Sequence, residues 1–302
     1  MSGPEQARAC GTMSGREQAR AGGTMSGPER ARGGGASGRE PRAGGLLEAR
    51  GLVKTFGRRP AVRDVSFEVG AGETLAIVGE SGSGKSTTAR MLVGLLRPDR
   101  GQVLLAGDDL ARLRGRALRA RRKDLQMVFQ DPLGSLNPAM RVGASIAEPL
   151  LLHTGLDAAA RRDRVAELLR QVGLRPEHAD RLPRAFSGGQ RQRIAIARAI
   201  ACDPRVLICD EPVSALDVST QAQILDLLAG LREATGFGCV FISHDLAVVR
   251  LVADRIGVMR GGELVELGPA EQIYTDPRHE YTRELVAAVP SLTARRGSHE
   301  RA

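Results

Sequence analysis

Short apolar runs of strand length alternate with stretches of helical periodicity from residue 46 onward. The runs that predict strands are VRDVSFEV (62–69), TLAIVG (74–79), LQMVFQ (125–130), VLICDE (206–211), CVFISH (239–244) and RIGVMR (255–260). Strands that are followed by helices are typical of an α/β domain with a largely parallel sheet at its centre. We therefore predict an α/β fold.

Helical patterns dominate between residues 101 and 201. Within the segment 157–173, apolar residues recur with the spacing i, i+3, i+4 and i+7, at Val165, Leu168, Leu169 and Val172. This spacing places them on one face of a helix. We predict a helical subdomain over about 130–200, inserted into a domain that spans 46–268, and a C-terminal extension over 269–302 with a helix near 281–289.

The first 45 residues differ from the rest of the chain in composition. They are rich in Gly, Arg and Ala and repeat a short unit that begins at Met1, Met13 and Met25. Such a composition does not bury a core, so we expect a disordered tail. The alternative is a basic arm that contacts lipid or RNA. The segment has no hydrophobic region of the kind that secretory signals carry, so the chain is expected to stay in the cytosol.

The net charge of +9 is compatible with nucleic acid, anionic lipid or phosphate ligands. Aromatic residues make up only 3% of the chain and Trp is absent, so few side chains can stack on single-stranded nucleic acid or lie at a bilayer interface. No apolar run approaches the roughly 18 residues that span a bilayer, and we expect a soluble protein. The four cysteines show no metal-ligand spacing and are interpreted as structural thiols.

The segment GESGSGKS (79–86) fits the phosphate-binding pattern G-x-x-x-x-G-K-[ST] and lies between a predicted strand and a predicted helix. Its glycines let backbone N–H groups turn toward phosphates at the positive end of that helix. Lys85 is predicted to neutralise the β- and γ-phosphates, and Ser86 to ligate Mg²⁺. The predicted ATP-binding residues of this loop are Gly79, Glu80, Ser81, Gly82, Ser83, Gly84, Lys85, Ser86 and Thr87.

Two carboxylates, Asp210 and Glu211, end the apolar run VLICDE. Burying two anions at a strand end is costly unless a cation or a catalytic task compensates. We predict that Asp210 holds Mg²⁺, directly or through water, and that Glu211 is the general base that polarises the attacking water. Taken alone, acidic residues at this position are often only loop residues that face solvent.

The segment FSGGQRQR (186–193) resembles the signature motif of ATP-binding-cassette (ABC) ATPases. Further cassette motifs stand in the family's order, namely VFQDP around Gln130, SALD (214–217) and FISHD around His244. The resemblance covers about residues 46–289. It implies the ABC type of P-loop NTPase fold, which has a RecA-like core, an antiparallel β subdomain and an inserted α-helical subdomain. It also implies hydrolysis of ATP with Mg²⁺.

Ser187 is a suitable N-cap for a helix that runs to Ile200, and the Ser-Gly-Gly segment leaves N–H groups free at the positive end of that helix. One chain has only one γ-phosphate to hold. The resemblance therefore implies a head-to-tail dimer in which each signature closes over the partner's nucleotide. The signature residues are Ser187, Gly188, Gly189 and Gln190, and the D-loop residues are Ser214, Ala215, Leu216 and Asp217.

The resemblance also assigns roles to three single residues. His244 is the switch histidine that contacts the γ-phosphate and the attacking water, although a lone histidine at a strand end is often only hydrogen-bonded to a carbonyl. Gln130 coordinates Mg²⁺ and senses the membrane partner through the loop that follows it. Phe56 takes the position of the aromatic residue that stacks on adenine; the alternative is that Phe56 is a core residue.

Three stretches are similar to the ATPases of oligopeptide/dipeptide importers, in detail to the second of their two paired subunits: 130–150, 211–228 and 274–290. The last departs from the family at His279-Glu280-Tyr281, where proline usually separates His from Tyr. The resemblance implies a second ATPase subunit, integral membrane permeases and an external solute-binding protein, with this chain at the inner face of the membrane.

Other functions stay open at this point. Related importers carry nickel or glutathione-like solutes, so the cargo is not determined by these motifs. A soluble ABC ATPase that works on nucleic acid or ribosomes is a different class, which the basic charge would suit; such proteins usually carry two cassettes or large insertions, so we expect no direct nucleic-acid partner. The presence of Lys85, Asp210, Glu211 and His244 argues against a catalytically inactive regulatory cassette.

Overall fold

The computed structural model describes residues 45–289. The expectations for the repetitive N-terminal segment and for residues after 289 therefore lie outside the described residues. Within the described range the strands are Leu47–Phe56 (β1), Arg59–Val69 (β2), Thr74–Val78 (β3), Arg100–Leu105 (β4), Asp108–Asp109 (β5), Leu125–Val128 (β6), Val206–Asp210 (β7), Gly238–Ile242 (β8), Arg255–Arg260 (β9) and Glu263–Pro269 (β10).

The helices connect these strands and form a separate layer between β6 and β7. They are Lys85–Leu92 (α1), Gly115–Arg122 (α2), Pro132–Ser135 (α3), Val142–His153 (α4), Ala158–Gln171 (α5), Gly188–Ile200 (α6), Val218–Thr235 (α7), Leu246–Val249 (α8), Ala270–Thr275 (α9) and Glu280–Ala287 (α10). Two 3₁₀ turns, Pro176–Asp180 and Pro183–Ala185, precede α6. No helix in the described part of the chain has both the length and the apolar character needed to cross a membrane.

The central sheet has the order β10-β9-β3-β8-β7-β6. Its five strands from β9 to β6 pair in parallel, and β10 pairs antiparallel to β9 at the edge. The predicted parallel sheet is confirmed, and the runs predicted as strands all form strands. A second sheet, β2-β1-β4-β5, is antiparallel.

The segment 101–201 is less helical than its pattern suggests, because β4 lies at its start and pairs with β1. The strands β1 and β4, like β5 and β10, were not predicted from the sequence. In β1 the pairing register shifts between Ala49 and Leu52, and Gly51 between them has a positive φ of 57°. A bulge of this kind interrupts the alternation of apolar and polar residues by which a half-buried strand is predicted.

The strand β3 is buried on both faces of the central sheet. Leu75 and Ile77 join a core with residues of the antiparallel sheet, whereas Ala76 and Val78 join a core with the helical layer. This explains why the run TLAIV is apolar throughout, as expected of a central parallel strand. The carboxyl end of β3 is thereby held in place by two cores.

The helical layer packs around the predicted apolar face of α5. Val165, Leu168, Leu169 and Val172 are all buried, in one cluster with Ile146 and Leu150 of α4. This confirms the predicted helix face. Asp157 caps α5 by accepting a hydrogen bond from the Ala160 N–H.

Candidate nucleotide site

The carboxyl ends of four neighbouring parallel strands meet at one edge of the central sheet. The loop 79–84 follows β3, His244 follows β8, Glu211 follows β7 and Gln130 follows β6. Ligands of open α/β sheets bind at this edge. A cavity of about 590 Å³ lies here and is lined by every predicted residue of the loop 79–87 except Ser83, together with Gln130, Glu211 and His244.

Two glycines let the loop turn closely against its surroundings. A Cβ atom on Gly79 would lie 2.1 Å from the carbonyl oxygen of Met259, and one on Gly84 would lie 2.4 Å from that of Ala61. Their φ angles of 149° and 103° also lie in the region that favours glycine. The loop passes directly into α1, which begins at Lys85, so the backbone N–H groups of the first helical turn face the cavity at the positive end of the helix.

Lys85 is a buried cation inside this loop. Its Nζ donates hydrogen bonds to the carbonyl oxygens of Gly79 and Glu80, each at 2.8 Å. Burial lowers the pKa of Lys85, and the nearby carboxylates of Glu211, Asp210 and Glu80 act in the opposite direction. The ammonium group is therefore held at the centre of the loop by backbone carbonyls and by the field of nearby acids.

Ser86 and Asp210 are in contact across the first turn of α1. The Ser86 hydroxyl donates to Asp210 Oδ1 at 2.9 Å, and Asp210 is only 3% exposed. Burial raises the pKa of Asp210, the hydrogen bond from Ser86 lowers it, and the neighbouring Glu211 raises it again. An anion in such a place favours a cation beside it.

This donor set fits Mg²⁺. The oxygens of Ser86, Asp210 and Gln130 are hard ligands of the kind that Mg²⁺ prefers, and proteins usually hold Mg²⁺ through one or two side chains together with substrate phosphates. Accordingly, no cluster of three or more His, Cys, Asp or Glu side chains within residues 45–289 is placed to hold a metal by itself.

Glu211 lies at the centre of a small polar network. Its Oε2 accepts a hydrogen bond from Gln130 Nε2 at 3.0 Å and lies 3.3 Å from His244 Nδ1. The backbone of Glu211 has a φ of 47°, a left-handed conformation that is uncommon for residues other than glycine. Such strain concentrates at functional sites. The structure thus brings together three residues that come from the ends of three different strands.

The signature residues lie elsewhere on the chain. Ser187 caps α6 in a complete capping box, in which its Oγ accepts from Gln190 N–H while the Gln190 side chain accepts from Ser187 N–H. This confirms the predicted cap. None of the residues 187–190 lines the phosphate cavity of the described chain. A Cβ on Gly189 would lie 2.3 Å from Thr220, so α6 and α7 are in close contact at this glycine.

The D-loop residues lie beside the signature. A Cβ on Gly188 would lie 3.4 Å from the Leu216 side chain. Asp217 caps α7, and hydrogen bonds from Ser219 and Thr220 lower its pKa. The Ser214 hydroxyl donates to the carbonyl oxygen of Glu211 at 3.1 Å. Ala215, between them, is exposed. The D-loop therefore connects the cavity to the surface that carries the signature.

Phe56 lies at the tip of the β1–β2 hairpin and does not line the phosphate cavity. Its side chain is 52% exposed, which excludes the core position that the sequence left open. Lys54 Nζ lies 5.7 Å from the ring centroid. The same hairpin reaches the cavity at Ala61, five positions further along the chain.

Two residues of the C-terminal helix α10 were missed by the sequence analysis. Leu285 lines the phosphate cavity, and the Tyr281 hydroxyl accepts a hydrogen bond from the backbone N–H of Glu80 at 3.1 Å. Both lie about 200 positions from the loop that they contact, so no local pattern indicates the contact. The only signal in the sequence is the rarity of tyrosine, because Tyr281 is one of two tyrosines in the chain.

The chain is similar to known families and solved structures. The ABC transporter family model matches residues 62–214, and the model for the C-terminal region of oligopeptide/dipeptide transporters matches residues 265–302. Among solved structures, the ATP-binding cassette MJ0796, a dimer in a post-hydrolysis state bound to ADP and phosphate, is 31% identical with a TM-score of 0.68. That comparison covers 74% of this chain and 99% of MJ0796.

Relatives in bacteria are still more similar in sequence. The di/tripeptide transport ATP-binding protein DppF of Pseudomonas aeruginosa is 51% identical over 81% of this chain and 76% of its own length. The glutathione import ATP-binding protein GsiA of Pectobacterium atrosepticum is 50% identical over 80% of this chain, which corresponds to 38% of its own length. The chain therefore belongs to the ABC transporter family, as an ATP-binding and ATP-hydrolysing subunit.

Proposed function

We propose that this chain powers the import of peptides through separate membrane permeases. The observation that carries this proposal is that the sequence matches the C-terminal region of oligopeptide/dipeptide transporters in addition to the cassette itself. The similarity to a di/tripeptide transport protein over most of both chains supports the same cargo. In this proposal residues 46–268 form the cassette and residues 269–302 form the extension. The chain works at the inner face of the membrane beside the permeases, and an external binding protein delivers the solute to these permeases.

Transport can be tested directly in the source organism. A strain that lacks this gene is expected to lose uptake of labelled dipeptides and tripeptides, and the wild-type gene, but not its Glu211→Gln variant, is expected to restore it. Labelled glutathione and nickel are measured in the same cells. Loss of glutathione or nickel uptake with unchanged uptake of other peptides would replace the peptide proposal with one of these cargoes.

We propose roles for the charged and polar side chains of the cavity. Lys85 and the N–H groups of the loop would hold the β- and γ-phosphates. Ser86, Asp210 and Gln130 would hold Mg²⁺, which would supply positive charge beside the phosphates. Glu211 takes a proton from the attacking water as the water oxygen bonds to the γ-phosphorus and the bond to the bridging oxygen breaks. Both contacts of Glu211 use Oε2, so Oε1 is the oxygen available for that proton.

His244 and Gln130 position the carboxylate of Glu211. His244 lines the cavity and lies 3.3 Å from Glu211 Oε2, and we assign it the contact with the γ-phosphate. Phe56 is proposed to stack on adenine, because more than half of its side chain is exposed and its hairpin reaches the cavity at Ala61.

The second half of the site comes from a partner cassette. Residues 187–190 lie at an accessible helix N-terminus and do not reach the cavity of their own chain. Free N–H groups at such an end attract phosphate. Ser187, Gly188, Gly189 and Gln190 are therefore proposed to close over the partner's nucleotide, with the D-loop residues Ser214, Ala215, Leu216 and Asp217 alongside.

Replacing Gly188 with aspartate is expected to weaken ATP-driven dimerisation at least about tenfold, because like charges brought together at an interface repel. Asp in the first turn stabilises a helix, and the space beside Gly188 admits a Cβ, so folding should be unaffected. Dimerisation is measured by light scattering with ATP in the Glu211→Gln background. Gly188→Ala is the uncharged control. Wild-type dimerisation of the aspartate variant would exclude the signature from the interface.

A groove beside Gln130 is suited to the membrane partner. It has a volume of about 390 Å³, and its walls include Leu95, Phe129 and Leu152. These side chains are 64%, 37% and 57% exposed, which is unusual for large apolar residues in one place. The groove lies between the central sheet and the helical layer, directly before the loop that follows Gln130. We assign it to an apolar cytoplasmic segment of the permease.

The Leu152→Glu variant is expected to reduce co-purification with the permease at least about tenfold, because a carboxylate would be buried in an apolar contact. ATP binding should be unchanged, since Leu152 does not line the nucleotide cavity. Leu251→Glu is the matched control, because Leu251 is 70% exposed and lies outside the groove. Equal loss in both variants, or in neither, would contradict the assignment.

A further inference from the structure

The C-terminal helix α10 contacts the phosphate-binding loop through Tyr281. Its hydroxyl accepts the hydrogen bond from Glu80 N–H at 3.1 Å, and the side chain is only 2% exposed. One helical turn further on, Leu285 forms part of the cavity wall. The roles proposed for the cavity residues do not use either side chain.

The loop is held from opposite sides at the same two residues. Lys85 Nζ donates to the carbonyl oxygens of Gly79 and Glu80, whereas the Tyr281 hydroxyl accepts from the N–H of Glu80. The Glu80 N–H and the Gly79 carbonyl belong to the same peptide group, so Lys85 and Tyr281 hold that group at its two ends. Gly79 has no side chain by which it could be held, and α1 begins only at Lys85. Tyr281 therefore adds a specific restraint at the first peptide of the loop, where glycine gives the backbone conformational freedom.

Tyr281 is itself held in place by independent contacts. The Arg260 guanidinium lies 4.6 Å from the ring centroid, and Arg260 follows Met259, whose carbonyl faces Gly79. At the start of α10, His279 Nδ1 accepts from the N–H of Tyr281 at 3.1 Å. The buried Glu266 accepts the N–H groups of Arg278 and His279 at 2.9 and 3.0 Å.

The phenol is suited to this contact over the physiological pH range. Burial raises the pKa of Tyr281, so the group stays neutral and its oxygen can accept from Glu80 N–H. A phenylalanine would fill the same space but would leave a backbone N–H without this acceptor.

We propose that Tyr281 is a positioning residue for the nucleotide site, through which the C-terminal extension sets the affinity of the cassette for ATP. The inference rests on the proposed role of the loop 79–87 in holding phosphate. It gives the extension a function within the ATPase itself, because any partner that displaces α10 would release one restraint on the loop and lower its ATP affinity.

The chain offers a matched pair of variants, because Tyr274 and Tyr281 are its only tyrosines. Each tyrosine forms one hydrogen bond to the backbone and has an arginine over its ring. The Tyr274 hydroxyl, however, donates to the carbonyl oxygen of Leu246 at 2.5 Å, and the Arg250 guanidinium lies 5.3 Å from the Tyr274 ring centroid. Tyr281→Phe is expected to raise the Kd and the KM for ATP roughly three- to tenfold, the effect of one lost hydrogen bond, with kcat changed less than twofold. Tyr274→Phe is expected to leave both constants unchanged.

Fluorescence provides a readout that a purely structural role would not change. Trp is absent from the chain, so the Tyr274→Phe variant emits from Tyr281 alone. Addition of ATP is expected to change this emission in the wild type and in Tyr274→Phe, but not in Tyr281→Phe, after the same correction for nucleotide absorbance. A wild-type ATP affinity in Tyr281→Phe, or no ATP-dependent change in Tyr274→Phe, would overturn the proposal.

Lys85→Ala separates this inference from the site assignment on which it rests. If Lys85→Ala loses ATP binding while Tyr281→Phe keeps wild-type affinity, the phosphate loop is correctly placed and the positioning role is wrong. If both variants weaken binding and Tyr274→Phe does not, the positioning role is supported. Melting temperatures of the two tyrosine variants are compared, and a larger loss in Tyr281→Phe with no change in Kd would assign it a structural role only.

Discussion

The Glu211→Gln variant is expected to turn over ATP roughly 10²- to 10⁴-fold more slowly than the wild type, because it removes the general base from the attacking water. Glutamine has the same size and can keep contacts with Gln130 and His244, which lie 3.0 and 3.3 Å from Glu211 Oε2. It also removes a negative charge that faces the phosphates. ATP should therefore still bind, and the ATP-bound dimer should become more stable.

Release of phosphate measures the turnover of this variant, and light scattering in the presence of ATP measures its dimerisation. Glu233→Gln is a suitable control, because Glu233 is an exposed carboxylate that does not line the cavity. It is expected to keep most of the activity. Hydrolysis at the wild-type rate in Glu211→Gln would remove Glu211 from the mechanism.

The Lys85→Ala variant is expected to bind ATP roughly 10²-fold more weakly or worse, because it removes a buried cation that would make charge-assisted hydrogen bonds to phosphate. Lys85 is 4% exposed, and no other lysine lines the cavity to replace it. The change leaves the carbonyls of Gly79 and Glu80 without their present donor. A modest loss of stability should accompany the loss of binding.

Binding of a fluorescent ATP analogue tests this expectation, and thermal melting without nucleotide shows whether the variant folds. Lys123→Ala is the matched control, because it also removes a lysine, but one that is exposed and lies outside the cavity. If Lys85→Ala bound ATP as tightly as Lys123→Ala, the loop 79–87 would not be the phosphate site.

Much of the fold and of the site follows from local patterns. The apolar runs predicted five of the six strands of the central sheet, all except β10, and the Gly-rich segment between β3 and α1 predicted a phosphate loop. Ser187 before a helical pattern predicted a cap, which the capping box with Gln190 confirms. These features depend on residues close together in the sequence, where propensity and hydrogen bonding act over a few positions.

The strands β1 and β4 could not be predicted in the same way. Their residues alternate imperfectly, and Gly51 interrupts β1 where its pairing register shifts. Such strands are stabilised by cross-strand partners, Leu47 with Leu105 and Ala49 with Val103, that are distant in sequence. Phe56 is a similar case, since only the structure shows that it lies exposed at the hairpin tip.

The sequence by itself determined the fold class, the phosphate loop, the acidic strand end and the order of the motifs, because each is encoded within a short segment. Only the tertiary structure decided which residues meet. The order β3-β8-β7-β6 brings His244 and Gln130 onto Glu211, and the packing of α10 brings Tyr281 onto Glu80. The physical reason is that contacts between residues 33 to 201 positions apart depend on how buried surfaces pack, and no local spacing encodes that packing.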